Sequence, residues 1–458
     1  MHNLYVSDIL DKCNGKLLIG NKDLILNNFS KDTRTITNGD VYIGIKGENF
    51  DGNLFIEEAL KKGASCCIVE HLKDIDLSKY KNKTIVQVKD SIKCLQTLAT
   101  YKRSLYNIPV IAITGSVGKT STKDIIYEVV NQKYKTLKPD GNLNNHIGLP
   151  LTILKLKDHE ALVVEMGMNH FKEISLLTKI AKPTIAIITN IGTAHIGNLG
   201  SRENILKAKL EITEQLDKNN FLIINNDNDL LNKEAKKLSQ KYKLITIGID
   251  NKSTYNATNI EDNIFSSTFL VNDDKLTINV GSKAFIYNSL IAYSIGKILN
   301  IETSKIIEAI SKFKLSPHRL ERKISKKGIT IIDDTYNANQ DSMINALSLL
   351  SKVNNQRRVA ILADILELGK YSKEIHENIG KTITPNTLDI LITIGKNAKY
   401  IKELALKNNF NKNNIYSFEN YIECQKALPS ILFPKDIVLL KGSHDMNLTE
   451  IVNFIIKL

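Results

Sequence analysis

No stretch of this chain stays apolar for the roughly 20 residues that a membrane-spanning helix needs, so membrane insertion is not expected. Cysteine is scarce: Cys13, Cys66, Cys67, Cys94 and Cys424 form an odd, scattered set without a C-x-x-C pair. That argues against a zinc site or a disulfide framework and makes a reducing cytoplasm the expected compartment. The first residues, MHNLYVSDILDKCNG, lack a basic stretch followed by an apolar core, so no secretory leader is expected. There are no repeats, no low-complexity linker, no arginine-rich tract and no aromatics interleaved with basic residues. The net charge of +13 therefore reads as solvated lysine faces, or as a cleft that attracts a polyanionic substrate, and not as a nucleic-acid surface.

What is present is the composition of a soluble globular protein, 42% hydrophobic and 24% charged. At 458 residues the chain exceeds one hydrophobic core, and three domains are expected. The stretch 110–131 organises the reading. Val110, Ile111, Ala112 and Ile113 are a continuous apolar run, as in a buried parallel strand. Gly115-Ser116-Val117-Gly118 makes a small-residue turn, Lys119-Thr120-Ser121 follows, and Ile125, Ile126, Val129 and Val130 recur at helical spacing. Strand, glycine turn, lysine and helix together make a phosphate cradle: backbone N–H groups and the helix N-terminus face the anion, and Lys119 neutralises it. Thr120 is then placed to hold Mg²⁺ through its hydroxyl. The glycine that the full pattern asks for five residues before Gly118 is replaced by Ile113. The bland alternative is an ordinary glycine turn; a nucleoside triphosphate is the expected ligand.

Residues 1–107 read as a small α/β module with strands at 24–26, 40–45, 64–69 and 84–88 and a helix at 55–62 closed by Gly63. Two polar clusters lie between them, 30–34 and 46–52. Each can be a plain loop, and a Gly-x-x-x-x-Gly loop with an aromatic and a nearby arginine can equally hold a nucleotide diphosphate. Residues 108–315 continue with strands at 161–164, 184–188, 221–224 and 244–247, interleaved with helical patterns as in a parallel sheet covered on both faces. Glu165 ends one of these strands, and His195 follows the end of another; open α/β sheets place ligands at such ends. In 316–458 the strand rhythm restarts at 329–332, 359–362, 390–394 and 437–440. The strand ends are polar (Asp333-Asp334, Asp364, Lys396, Lys441-Gly442-Ser443), but there is no G-x-G-x-x-G turn. A Rossmann-like third domain that carries or closes over a substrate is expected, without NAD.

The runs ITGSVGKTST, GNLNNHIGLPLTIL, EMGMNH, TNIGTAHIGNLGS with AKLEI, SPHRLER, DDTYNAN, ADILELG and KGSHDMN together resemble the Mur ligase family over essentially the whole chain. The resemblance implies an α/β protein of three domains: a UDP-sugar-peptide domain (1–107), a central ATP-binding domain (108–315) and a Rossmann-like domain (316–458). It implies an ATP-driven, cytoplasmic amide ligation in peptidoglycan precursor synthesis. UDP-N-acetylmuramoyl-tripeptide is activated as an acyl phosphate, and D-alanyl-D-alanine attacks it. A different amino-acid acceptor, or a P-loop ATPase acting on nucleic acid, are the alternatives. A monomer is expected.

By the same resemblance Gly115 to Ser121 hold the phosphates, Lys119 reaching the β- and γ-groups. Thr120 and Glu165 bind one Mg²⁺, and His195 binds a second. Lys209, fourteen residues after His195, matches the lysine that becomes a carbamate and so an anionic metal ligand. Asn142 and Asn288 reach the nucleotide base, while Arg319 and Asp334 close onto the phosphates. Ser30, Thr33, Arg34, Gly47, Asn49, Phe50, Asp51 and Gly52 correspond to the uridine-diphosphate site. Taken without the resemblance, Lys209 is a solvated helix-surface lysine and His195 a helix cap or a loop residue. Two positions depart from the family pattern: His444 stands where arginine is usual, and Asn53 where histidine is common.

Overall fold

The computed structural model describes residues 2–73 and 75–458. The chain separates into two compact units: Met1–Thr114 with Lys133–Ile187 and Leu210–Phe221, and Gly115–Gln132 with Ile188–Lys209 and Leu222–Leu458. Helices alternate with mostly parallel strands, so the fold is α/β, as expected. Among the described residues no helix is long and apolar enough to cross a membrane.

The first unit holds a five-stranded sheet in the order Lys16–Ile19, Thr84–Gln87, Cys66–Val69, Val41–Ile43, Phe29–Ser30. The first of these runs antiparallel to its neighbour and the rest are parallel. Ile25–Leu26, expected as a strand of this sheet, instead pairs with Leu4–Tyr5 in a separate antiparallel ribbon. The unit also contains the parallel neighbours Val110–Thr114, Ala161–Glu165 and Thr136–Leu137. Every residue of the first two of these strands is buried, which is why they read as unbroken apolar runs.

In the second unit, Lys243–Gly248 pairs in parallel with Tyr255–Asp262. Ser267–Val271 and Asp274–Ile278 then continue as an antiparallel meander. That meander escapes a search for apolar runs because Tyr255–Asp262 is mostly half-exposed and polar. The same unit carries a six-stranded sheet in the order Glu321–Ile324, Thr330–Asp333, Ile437–Lys441, Arg358–Ala363, Ile390–Ile394, Ile415–Phe418. The strands are parallel except for the first, an antiparallel edge. The pleat sends alternate residues to opposite faces. Ile437 and Leu439 meet Met343, Leu347 and Ile379 on one side, while Val438 and Leu440 meet Leu428, Ile451 and Ile455 on the other. Helices thus cover both faces, and the polar strand ends emerge along one edge of this Rossmann-like layer.

Candidate functional site

The glycine turn adopts the conformation that the sequence demands. Gly118 lies at φ 85° and begins the helix Lys119–Val130, and Gly115 lies at φ 153°. A side chain at Gly115 would place a Cβ 1.9 Å from the Thr189 hydroxyl, so close approach as well as backbone conformation requires glycine there. The turn is braced from the segment after the strand Ile185–Ile188. Asn190 Oδ1 accepts from the N–H groups of Ser116 and Val117 at 3.1 and 2.9 Å, and Thr189 donates to the Val117 carbonyl at 2.6 Å. Lys119 Nζ donates to the Gly115 carbonyl at 2.9 Å, arching over the turn.

Asn288, buried in the helix Lys283–Ile298, accepts the Thr122 hydroxyl at 2.9 Å and lies against Gly118. It therefore sits at the head of the phosphate helix. Arg319 reaches the same place: Nη2 donates to the Thr120 hydroxyl at 3.0 Å, and the guanidinium stacks 3.9 Å from the Tyr336 ring centroid. Its neighbours His318 and Leu320 both hold left-handed backbone, at φ 63° and 53°, a strained arrangement fixed from outside. Leu320 N–H donates to Asp334 Oδ1, and Tyr336 N–H to the His318 carbonyl. The buried Lys441 ammonium grips Asp334 at 2.6 Å and the Asn337 carbonyl at 3.0 Å, so Asp334 is locked rather than swinging.

His195 caps the short helix Ile196–Leu199 with φ 62°. Lys209, near the end of the helix Arg202–Leu210, is 1% exposed. The solvated-lysine alternative is thereby excluded, because a lysine this deep is held by polar partners or altered chemically. His444 is exposed and tilted against Tyr336, with 6.3 Å between ring centroids.

In the first unit, Glu165 is buried and its Oε1 accepts from Asn144 Nδ2 at 2.8 Å. Asn142, expected near the nucleotide base, is exposed. Asn144, two residues on in the same run, is the residue that orients the carboxylate, and the adjacent Gly167 leaves the room its amide needs. Asp32 clamps Arg34 through both carboxylate oxygens, and that guanidinium holds the Asp32 carboxyl down to about 2. Ser30 contacts Thr35 and Asp32, while Thr33 donates to Glu58. Gly47 and Phe50 close a tight turn that also contains the exposed Asn49. Phe50 stacks on Phe55 while remaining 56% exposed. Asp51 pairs with His71 at 2.9 Å, and the Gly52 carbonyl accepts the Tyr42 hydroxyl. Asn53 is buried and structural, donating to Asp51 and accepting from Glu70 N–H.

One further cluster of potential ligands, His318, Glu321 and Asp333, already contains a cation. The Lys323 ammonium lies 2.5 Å from Asp333 and 3.1 Å from Glu321, so it already occupies both carboxylates and offsets one of their two charges.

Comparison with known proteins covers the length of the chain. Residues 27–103 match the Mur ligase family catalytic domain, 113–296 the Mur ligase middle domain, and 318–444 the Mur ligase glutamate ligase domain. The chain is 32% identical over 437 residues to a UDP-N-acetylmuramoyl-tripeptide–D-alanyl-D-alanine ligase of Bacillus subtilis, covering 94% of each. It superposes on a crystal structure of MurF from Acinetobacter baumannii with TM-score 0.88 and 27% identity, over 100% of this chain and 99% of that one. MurF ligase from Thermotoga maritima, solved in complex with ADP, matches at TM-score 0.80 and 27% identity over 95% and 98%. This chain belongs to the Mur ligase family.

Proposed function

We propose that this chain is an ATP-dependent ligase that joins D-alanyl-D-alanine to UDP-N-acetylmuramoyl-tripeptide, a step of peptidoglycan precursor synthesis. The observation that carries this reading is the match over 94% of both chains to a ligase of that named activity. The braced glycine turn under Lys119 and Arg319 supports it. A carboxylate repels nucleophiles, so amide formation in water needs it converted into an acyl group with a good leaving group. Phosphorylation by ATP does this, and the dipeptide amine then displaces phosphate. Triphosphate, carboxylate and the charged adduct are all anionic, so the chain must gather positive charge where they meet.

Gly115 to Ser121 would cradle the phosphates, with Lys119 on the β- and γ-groups and Arg319 held ready by Tyr336. Asp334 keeps Arg319 in place through Leu320 N–H. Residues 1–107 would take the uridine diphosphate through Ser30, Thr33, Arg34 and the turn from Gly47 to Gly52. Residues 108–315 would take ATP, with Asn142 and Asn288 near the base, and 316–458 would supply Arg319 and Asp334. In this reading Thr120, Glu165, His195 and Lys209 would hold Mg²⁺. A hydroxyl, a buried carboxylate held by Asn144 and a carbamate on the buried Lys209 are hard oxygen donors. When bound, Mg²⁺ would neutralise charge on the phosphates and on the acyl carboxylate. Cytoplasmic action as a monomer belongs to the same reading.

Phosphate release with each component omitted in turn tests it. Release is expected to require ATP, Mg²⁺, the UDP-muramoyl tripeptide and D-Ala-D-Ala together. Release supported by a single amino acid, and not by the dipeptide, would assign another acceptor.

A further inference from the structure

The segment 190–200, which carries His195, is gripped at both ends by side chains of the Rossmann-like layer. At its start, Asp341 Oδ2 accepts from Thr193 N–H at 3.1 Å. The same oxygen lies 2.0 Å from where a Cβ on Gly192 would stand, so only glycine admits the carboxylate. On its other side this turn is tied to the phosphate loop: Gly192 N–H donates to Ser116 Oγ at 2.9 Å. At its end, Tyr371 donates to the Gly200 carbonyl at 2.6 Å. A Cβ on Gly197 would meet the Glu367 carbonyl at 2.5 Å. Asp341 itself is fixed in the first turn of the helix Gln340–Leu350, whose N-terminus is closed by the reciprocal Asn339–Ser342 pair. Asp341, Glu367 and Tyr371 lie outside the 115–121 cradle, yet together they set the height and rotation of the backbone that bears His195.

We propose that Asp341 is a positioning residue for the ligation: by accepting Thr193 N–H in the notch left by Gly192, it fixes the 190–200 segment, and with it His195, against the phosphate loop. Gly197 is the second notch, receiving the Glu367 carbonyl. Seating of the Rossmann-like layer and placement of His195 are then one event. The inference rests on the ligase reading of His195 and adds a residue to it.

The test compares Asp341→Ala, Asp341→Asn and Gly197→Ala in the full chain. Three readouts are ligation kinetics, thermal midpoint and amide hydrogen exchange across 190–200. Asp341→Ala is expected to lower kcat by about tenfold to a hundredfold, the scale of an ångström-size misplacement. KM for ATP should stay within about twofold, because the cradle contacts themselves are untouched. Exchange at Thr193 should accelerate. Asp341→Asn retains an acceptor oxygen and should recover most of the turnover, whereas a role in charge alone would leave both variants equally impaired and overturn the proposal. Gly197→Ala, which leaves Asp341 intact, should lower kcat in the same manner. Wild-type turnover and exchange in Asp341→Ala would overturn the positioning role and leave the ligase assignment standing. A parent chain that forms no amide bond would overturn the assignment itself, and the inference with it.

Discussion

Arg319 donates to the hydroxyl of Thr120, 199 positions earlier in the chain, while its guanidinium carbon sits over the Tyr336 ring, 3.9 Å from the centroid. A cation is thus stored beside the hydroxyl that begins the phosphate helix. Only a planar, permanently charged group can stack and donate at once, so lysine is not a conservative replacement here. Arg319→Ala should lower kcat for ligation by about a thousandfold, the scale of an arginine acting on a transferring phosphoryl group. Arg319→Lys should recover only part of that. Tyr336→Ala removes a stacking contact worth about 1 kcal/mol and should cost about fivefold. In the double variant the two losses should not add, because both act through one guanidinium. Steady-state kinetics on the four proteins decides it; additive losses would show that Tyr336 does not act through Arg319.

Lys209 makes the second test. At 1% exposure an ammonium surrounded by protein is costly, and a carbamate would instead provide an anionic oxygen among the proposed ligands. Lys209→Ala should lose at least about a hundredfold in kcat, as for the loss of one charge-stabilising group. Short carboxylates that enter the cavity should restore part of it. Rescue by acetate or propionate, absent with the corresponding alcohols, is the expected pattern. Near-wild-type turnover without any additive would remove the carbamate from the account.

The sequence made the parallel layers legible because buried strands leave unbroken apolar runs. Ile390–Ile394 was readable to the residue for that reason. Edge elements left weaker traces. Glu321–Ile324 is charged and half-exposed, and Ile415–Phe418 has only intermediate or exposed residues, so neither stands out from a loop. The turn 115–118 was legible in chemistry and in shape, since glycine there answers a steric demand. Asn144 was not: three asparagines crowd 142–145, and only the fold reveals which amide faces Glu165. Lys441 was visible as a polar strand end, but its grip on Asp334 depends on two strands that neighbour each other in space and not in sequence. Long-range pairing of that kind leaves no local periodicity to read.

Asp333 Oδ2 lies 2.8 Å from Nδ1 of His318, the residue before Arg319, and its titration gives the last prediction. It is wholly buried. Burial alone would push its carboxyl up, but hydrogen bonds from Lys323, Thr335 and His318 outweigh that and hold it below the usual carboxylate range. Lys323 is likewise lowered by burial, but Asp333 and Glu321 overcome this and raise it. For a carboxyl held low, the stabilisation is complete above its unfolded value of about 4 and is lost as pH falls through the lower folded value. For a lysine held high, it is complete below about 10.4 and is lost as pH rises through the higher folded value. Between those limits the pair is intact. Lys323→Met strands a buried carboxylate and should cost about 3 kcal/mol at neutral pH, the lower end for breaking a buried ion pair, because Lys323 retains some solvent contact and His318 remains beside Asp333. Denaturant titrations at pH 3, 7 and 9 (about these values) should show the deficit near full at the two upper points and shrunken at the lowest, where protonation of Asp333 removes the charge left unpaired. A deficit independent of pH down to the acid limit would mean that Lys323 acts by packing alone, and that Asp333 does not depend on its charge.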